Sequence, residues 1–220
     1  MQTLRQIAHL LKWEFRAEWR NRTAISSVLL YVVATATIVY MAMTNFSAMT
    51  FNAVLWIVLF FGALVATGRS FLREGGRRHL YYYQVASPEA LLTSKWIFNT
   101  LQIWLVSGAS YLALRFFAAE NIEVFEPATF LAAVGLGGVG LSAALTFVGA
   151  IAARAGGNAT LMSILSLPIL TPLLYLLVNL GAYSFGLPIE QTDTMLIYVG
   201  AIDLIGLAVG LVLFPFVWRD

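Results

Sequence analysis

The sequence predicts an all-α membrane protein: six transmembrane helices, preceded by an amphipathic interfacial helix and carrying a short cytoplasmic coupling helix between spans two and three. Three observations carry that reading. Hydrophobic residues make up 60% of the 220 and charged residues 11%, with a mean hydropathy of +0.82, which leaves too few polar side chains to cover a soluble domain. Six apolar runs, at 25–43, 51–67, 96–117, 130–153, 161–180 and 195–218, approach or reach the roughly 20 residues that cross a hydrocarbon core about 30 Å thick. The runs are continuous rather than alternating, which argues against membrane strands. No long hydrophilic insert, linker or low-complexity segment interrupts them, so 1–220 reads as one transmembrane domain.

Residues 1–22 form the first element. Leu4, Ile7, Ala8, Leu11, Phe15 and Trp19 recur at helical spacing, while Arg5, Lys12, Arg16 and Arg20 line the adjoining flank. Such a helix rests in a membrane interface, its apolar side about 5–10 Å into the headgroup boundary and its cations against anionic lipid. It acts either as a plain anchor or as a lever on span one. A signal peptide is the poorer reading, because the first apolar run exceeds the roughly 7–15 residues of a signal core.

Spans one and two are joined by a short uncharged turn, 44–50, which suits antiparallel neighbours. The loop at 69–95 follows, with Arg69, Arg73, Arg77, Arg78 and Lys95 set against Glu74 and Glu89. Its length leaves room for a short helix that a soluble partner could push, beginning at Glu89 with Pro88 setting its start. In span three, Trp104 and Tyr111 read as packing or interface anchors. The Phe125-Glu126-Pro127 stretch breaks the chain before span four.

Span four carries a small-residue row at four-residue spacing, Gly138, Ser142, Thr146 and Ala150. Lipid tails give no hydrophobic drive for helix association, so such a row reads as a surface where backbones approach closely. Its glycines do not form a nucleotide loop, since no Lys and Ser or Thr follow them and they lie inside an apolar run. Span five contains Pro168 and Pro172, which remove two backbone donors from one helical face and make either a hinge or a static kink. The segment 181–188 is either a re-entrant piece or a plain loop. In span six, Asp203 lies about 12 Å deep by helical rise, where an ionisable side chain is costly and either holds a structural hydrogen bond or meets a substrate.

The charges sort by side. Cations precede span one, crowd the loop between spans two and three, follow span four at Arg154 and recur after span six at Arg219. Glu120, Glu123, Glu126, Glu190 and Asp193 lie on the other side, with Arg115 the one cation near them. Both termini are therefore expected in the cytoplasm. The net charge of +2 takes its meaning from this sidedness and gives no nucleic-acid reading.

Catalytic signatures are missing: there is no His-Glu-x-x-His, no Gly-x-Ser-x-Gly, no Walker sequence and no paired intramembrane carboxylates. The absence of cysteine excludes disulfides, thiolate metal sites and thiol redox chemistry. His9 and His79 both fall on the cytoplasmic side, leaving no outer pair of imidazoles for haem iron.

Glu74-Gly75-Gly76 with Leu80, then Ala86-Ser87-Pro88-Glu89 and Lys95, resembles the inner loop of six-span ABC-type export permeases. Within that class the chain is similar to the CcmB family, the membrane permeases of the cytochrome c maturation haem exporter. The likeness rests on the basic N-terminal helix, on that loop, and on a block from Ala152-Ala153-Arg154 through Gly156-Gly157 to Leu165-Ser166-Leu167-Pro168-Ile169-Leu170-Thr171-Pro172. It implies a non-catalytic permease in a bacterial inner membrane. It also implies a separate ABC ATPase subunit that holds the ATP, further cytochrome c maturation membrane subunits, haem as a possible cargo and a homodimeric core. Glu74, Gly75, Ser87, Pro88, Glu89 and Lys95 would meet the ATPase, and span five would relay its movement. Two other readings remain, an ABC-type permease for a lipid, drug or polysaccharide, and a membrane scaffold that transports nothing.

Overall fold

The computed structural model describes residues 2–20, 22–42, 47–72, 87–118, 122–155, 159–189 and 192–219. They form seven helices: α1 (Gln2–Arg20), α2 (Arg22–Ala42), α3 (Ala48–Leu72), α4 (Pro88–Phe117), α5 (Pro127–Arg154), α6 (Ala159–Ser184) and α7 (Thr192–Arg219). There is no strand among the described residues. The chain is an all-α, multi-pass membrane protein. Five helices are long and apolar enough to cross a bilayer, over Ala48–Gly68, Pro88–Phe117, Pro127–Arg154, Thr160–Ser184 and Thr194–Val217. The remaining expected span, 25–43, falls on α2, whose apolar stretch Ser26–Ala42 is shorter.

The helix boundaries follow from local chemistry. Ser47 opens α3, its hydroxyl accepting from the Thr50 amide at 3.2 Å. Ser87 opens α4 from an extended backbone, with its side chain accepting from the Ala90 amide, Pro88 in the first turn and Glu89 beside it. Pro127 likewise occupies the first turn of α5, although its N-cap residue Glu126 makes no side-chain capping bond. The α6 helix runs unbroken through Pro168 and Pro172 and continues to Ser184. It then ends with Leu187 N–H on the Ala182 carbonyl, Gly186 N–H on the Tyr183 carbonyl and Gly186 at φ 78°. That is a Schellman cap, which requires a residue free of Cβ strain. The segment 181–188 is thus the last turn of a long helix and its cap.

The short coupling helix expected from Glu89 is corrected by the structure. Pro88 does start a helix, but this is the beginning of α4, which runs 30 residues without a break. Nothing in Ala90-Leu91-Leu92-Thr93-Ser94-Lys95 opposes helix, and Ser94 returns its hydroxyl to the Leu91 carbonyl at 2.9 Å. The loop at 73–86, including Glu74 and Gly75, lies outside the described residues.

The centre of the bundle is α5, which packs on α3, α4, α6 and α7. Its inward side chains Leu141, Leu145 and Val148 meet Trp56, Leu59 and Phe60 of α3 and Leu170, Leu173 and Leu177 of α6. At one end, Phe51, Tyr111, Phe130 and Phe185 form a ring-to-ring cluster with centroids 5.2–6.0 Å apart. At the other end, α1, the start of α4 and the last turns of α5 and α7 converge. Leu10, Leu91, Leu92, Ala150, Ala153 and Phe214 share one apolar cluster there. Large apolar side chains such as Ile197, Leu204 and Ile205 of α7 point outward, as a lipid-facing surface requires.

Candidate functional site

The end of the bundle that holds α1 is the site the sequence singles out, and it is built around the first turns of α4. Helix α1 lies alongside that segment with a constant offset: the Gln6 side chain approaches the Ser87 amide at 3.5 Å and Glu14 meets Lys95, each pair 81 residues apart. Two helices in such register run parallel as neighbours. Lys95 Nζ donates to Glu14 Oε1 at 2.9 Å, with the lysine side chain wholly buried and the glutamate 12% exposed. Phe15 stands edge-on to Phe98 at 5.2 Å. Arg154, in the last turn of α5, donates from Nε to the Val217 carbonyl at 2.8 Å and joins the ends of α5 and α7. A displacement of the α4 N-terminus therefore meets α1 through an ion pair and meets α5 and α7 through the Leu91, Leu92, Ala150 and Phe214 contacts.

From this junction a polar seam runs up the α4 and α5 contact. Asn99 donates to Thr146 Oγ1 at 2.8 Å, and Thr100 and Ser142 share a 2.5 Å hydroxyl contact. The Val139 carbonyl accepts from Ser142 at 2.9 Å and from Trp96 Nε1 at 3.3 Å. One turn further, Trp104 Nε1 reaches the Gly135 carbonyl at 3.1 Å, with its ring over Gly138. The row Gly138, Ser142, Thr146 and Ala150 is thus where α4 docks, with two of its members hydrogen-bonded across the interface. A second clasp joins α3 to α6: Asn52 Nδ2 donates to the Val178 carbonyl at 2.9 Å, and its side-chain oxygen accepts from Trp56 at 3.1 Å, both beside Gly181.

The site residues expected from the sequence separate into three places. Ser87, Pro88, Glu89 and Lys95 stand together on the first two turns of α4, where Ser87 caps the helix and Glu89 is exposed. Lys95 is not on an open surface, since its side chain is enclosed between α1 and α4. Pro168 and Pro172 both face outward on α6, while Leu170 and Leu173 of the same segment face the core. Asp203 is 4% exposed, and neither carboxylate oxygen has a hydrogen-bond partner among the described residues. It packs on the bare backbone of Gly140, which also lies against Leu173. The intramembrane acid is thereby a neighbour of the proline segment, a juxtaposition that spacing does not reveal.

Two participants escape a reading of the sequence. Glu14 is one, although it left a signal: it falls three residues after Leu11 and seven after Ile7, an acid within an otherwise apolar helical face. Asn99 is the other, a polar residue in an apolar run whose partner sits 47 residues away. No group of three His, Asp or Glu side chains able to hold a metal ion occurs among the described residues.

A family model described as CcmB protein matches residues 5–218, nearly the whole chain. The chain belongs to the CcmB family. No curated protein and no solved structure matches it. CcmB-family proteins are membrane components of the ABC-type haem-export system of cytochrome c biogenesis. Membership makes the chain a permease-type membrane subunit.

Proposed function

We propose that this chain is the membrane permease of an ABC-type complex that handles haem for cytochrome c maturation, driven by a separate ATPase subunit docked at the α1 end. The observation that carries this is the construction of α4. It is a 30-residue helix, about 45 Å long at 1.5 Å per residue, against a hydrocarbon core of about 30 Å. The helix thus exceeds the core by about 15 Å, and in this reading the excess lies at the Ser87 end, which is clamped to α1 by Glu14 and Lys95. A push on the loop at 73–86 enters a rigid rod that continues into the bundle. Glu74 and Gly75, in the 73–86 segment, are taken to meet the ATPase together with Glu89, which presents an exposed carboxylate.

In this reading α2 is the sixth span, the α1 end and both termini lie in the cytoplasm of a bacterial cell, and the membrane is the inner one. The charge distribution supports it: Arg5, Lys12, Arg16, Arg20, Lys95 and Arg154 share the α1 end, and Glu123 and Glu126 stand at the other. Pro168 and Pro172 allow α6 to flex at the level of Asp203. The chain works with further cytochrome c maturation subunits and as a pair of copies, while ATP binds the partner.

The test is to replace Glu74 by lysine and Pro88 by alanine, separately, in a tagged chain. Copurification of the ATP-hydrolysing subunit and the ATPase rate of the purified complex are then measured. Both are expected to fall several-fold while the chain still inserts. Unchanged binding and unchanged ATPase rate would overturn the docking assignment.

A further inference from the structure

Docking on α4 leaves α1 with a surface of a particular kind. Ile7, Leu10, Leu11 and Glu14 turn toward the bundle and are partly covered. At 100° per residue, the next sector carries Leu4, Ala8, Phe15 and Trp19, all exposed, with Leu4 at 71% and Trp19 at 79%. The sector beyond that holds Lys12, Arg5, Arg16 and Arg20, also exposed. Both acids of the helix, Glu14 and Glu18, lie toward the covered side, so the exposed charge is all positive. An apolar strip bordered by a row of cations matches a bilayer interface with anionic headgroups. An acidic peptide or a nucleic acid would satisfy the cations and leave Leu4, Phe15 and Trp19 in water.

Resting on the permease reading above, we propose that α1 binds anionic phospholipid and that this binding sets the position of the α4 N-terminus, making coupling to the ATPase dependent on anionic lipid. Acyl chains cover Leu4, Ala8, Phe15 and Trp19, and headgroup phosphates meet Arg5, Lys12, Arg16 and Arg20. The Glu14 to Lys95 ion pair and the Leu10 contacts pass that position to the segment where the 73–86 loop enters α4. Each cation at an anionic surface contributes roughly fivefold in partitioning, so the row acts as a graded sensor of headgroup charge.

The chain has no cysteine, so a single Ala8→Cys carries a polarity-sensitive label on α1 alone. The labelled full chain is placed in nanodiscs of phosphatidylcholine, or of phosphatidylcholine mixed with phosphatidylglycerol. The expected result is a label held in an apolar environment only with phosphatidylglycerol. Glutamine at Arg5, Lys12, Arg16 and Arg20 should abolish the difference, and lysine at the three arginines should keep it. Equal label environments in both lipids would overturn the proposal, and this arm needs no ATPase, so the permease reading would stand. The second arm measures the ATPase rate of the complex in the two lipids. The glutamine variant in mixed nanodiscs should match the wild type in phosphatidylcholine alone. A lipid-dependent label with a lipid-independent ATPase rate would sink the regulatory half.

Discussion

Replacing Glu14 by leucine removes the carboxylate from a lysine whose side chain has no exposure, across a 2.9 Å contact. Taking one member from a buried ion pair costs about 3–5 kcal/mol, because the remaining charge stays desolvated. The reverse change, Lys95→Leu, should cost less, about 1–2 kcal/mol, since Glu14 retains 12% exposure at the rim and can turn toward water or headgroups. With both replaced, an apolar pair of similar volume fills the space, and the loss should fall below about 1 kcal/mol. The coupling between the two sites is then at least about 3 kcal/mol. Reversible denaturation in mixed micelles, followed by tryptophan fluorescence, measures all four corners of the cycle. Additive losses, or a double variant as unstable as Glu14→Leu, would refute the view that this pair holds α1 on α4.

Three further outcomes are expected. Gly140→Ala should destabilise by about 1–3 kcal/mol, because the new methyl meets the Asp203 carboxylate and Leu173. Gly206→Ala, with open space around it, should be neutral or gain up to about 1 kcal/mol, as the same denaturation experiment would record. Alanine at Pro168 and Pro172 returns two amide donors to the outward face of α6, so stability should hold or rise while haem delivery falls. Full haem delivery by the stiffened helix would make the prolines a static kink.

Much of this architecture was legible in the residues, for identifiable reasons. Apolar runs near 20 residues report on membrane helices directly, because the bilayer sets their length. Pro88 before Glu89 announced a helix start through first-turn chemistry that is local, while the Ser87 cap came to light in the structure. The row Gly138, Ser142, Thr146 and Ala150 marked the docking face of α5, although its partners on α4 were invisible. What remained hidden depends on distant pairing. Glu14 and Lys95 each look like ordinary interfacial charges until 81 residues of separation are folded together. The division between a coupling helix and span three was misplaced, since the break expected near Trp96 has no physical cause. The placement of Asp203 against Gly140 and Leu173 arises from the crossing of three helices, which a residue pattern does not encode.

The most direct measurement deletes the gene in the organism that carries it, stains membranes for covalently bound haem, and assays haem on the periplasmic haem chaperone. A permease for cytochrome c maturation predicts loss of c-type cytochromes with haem stranded on the chaperone, and recovery when the chain is supplied again. Normal c-type cytochromes in the deletion strain would contradict the haem-handling role and leave a transport subunit for another cargo, or a scaffold.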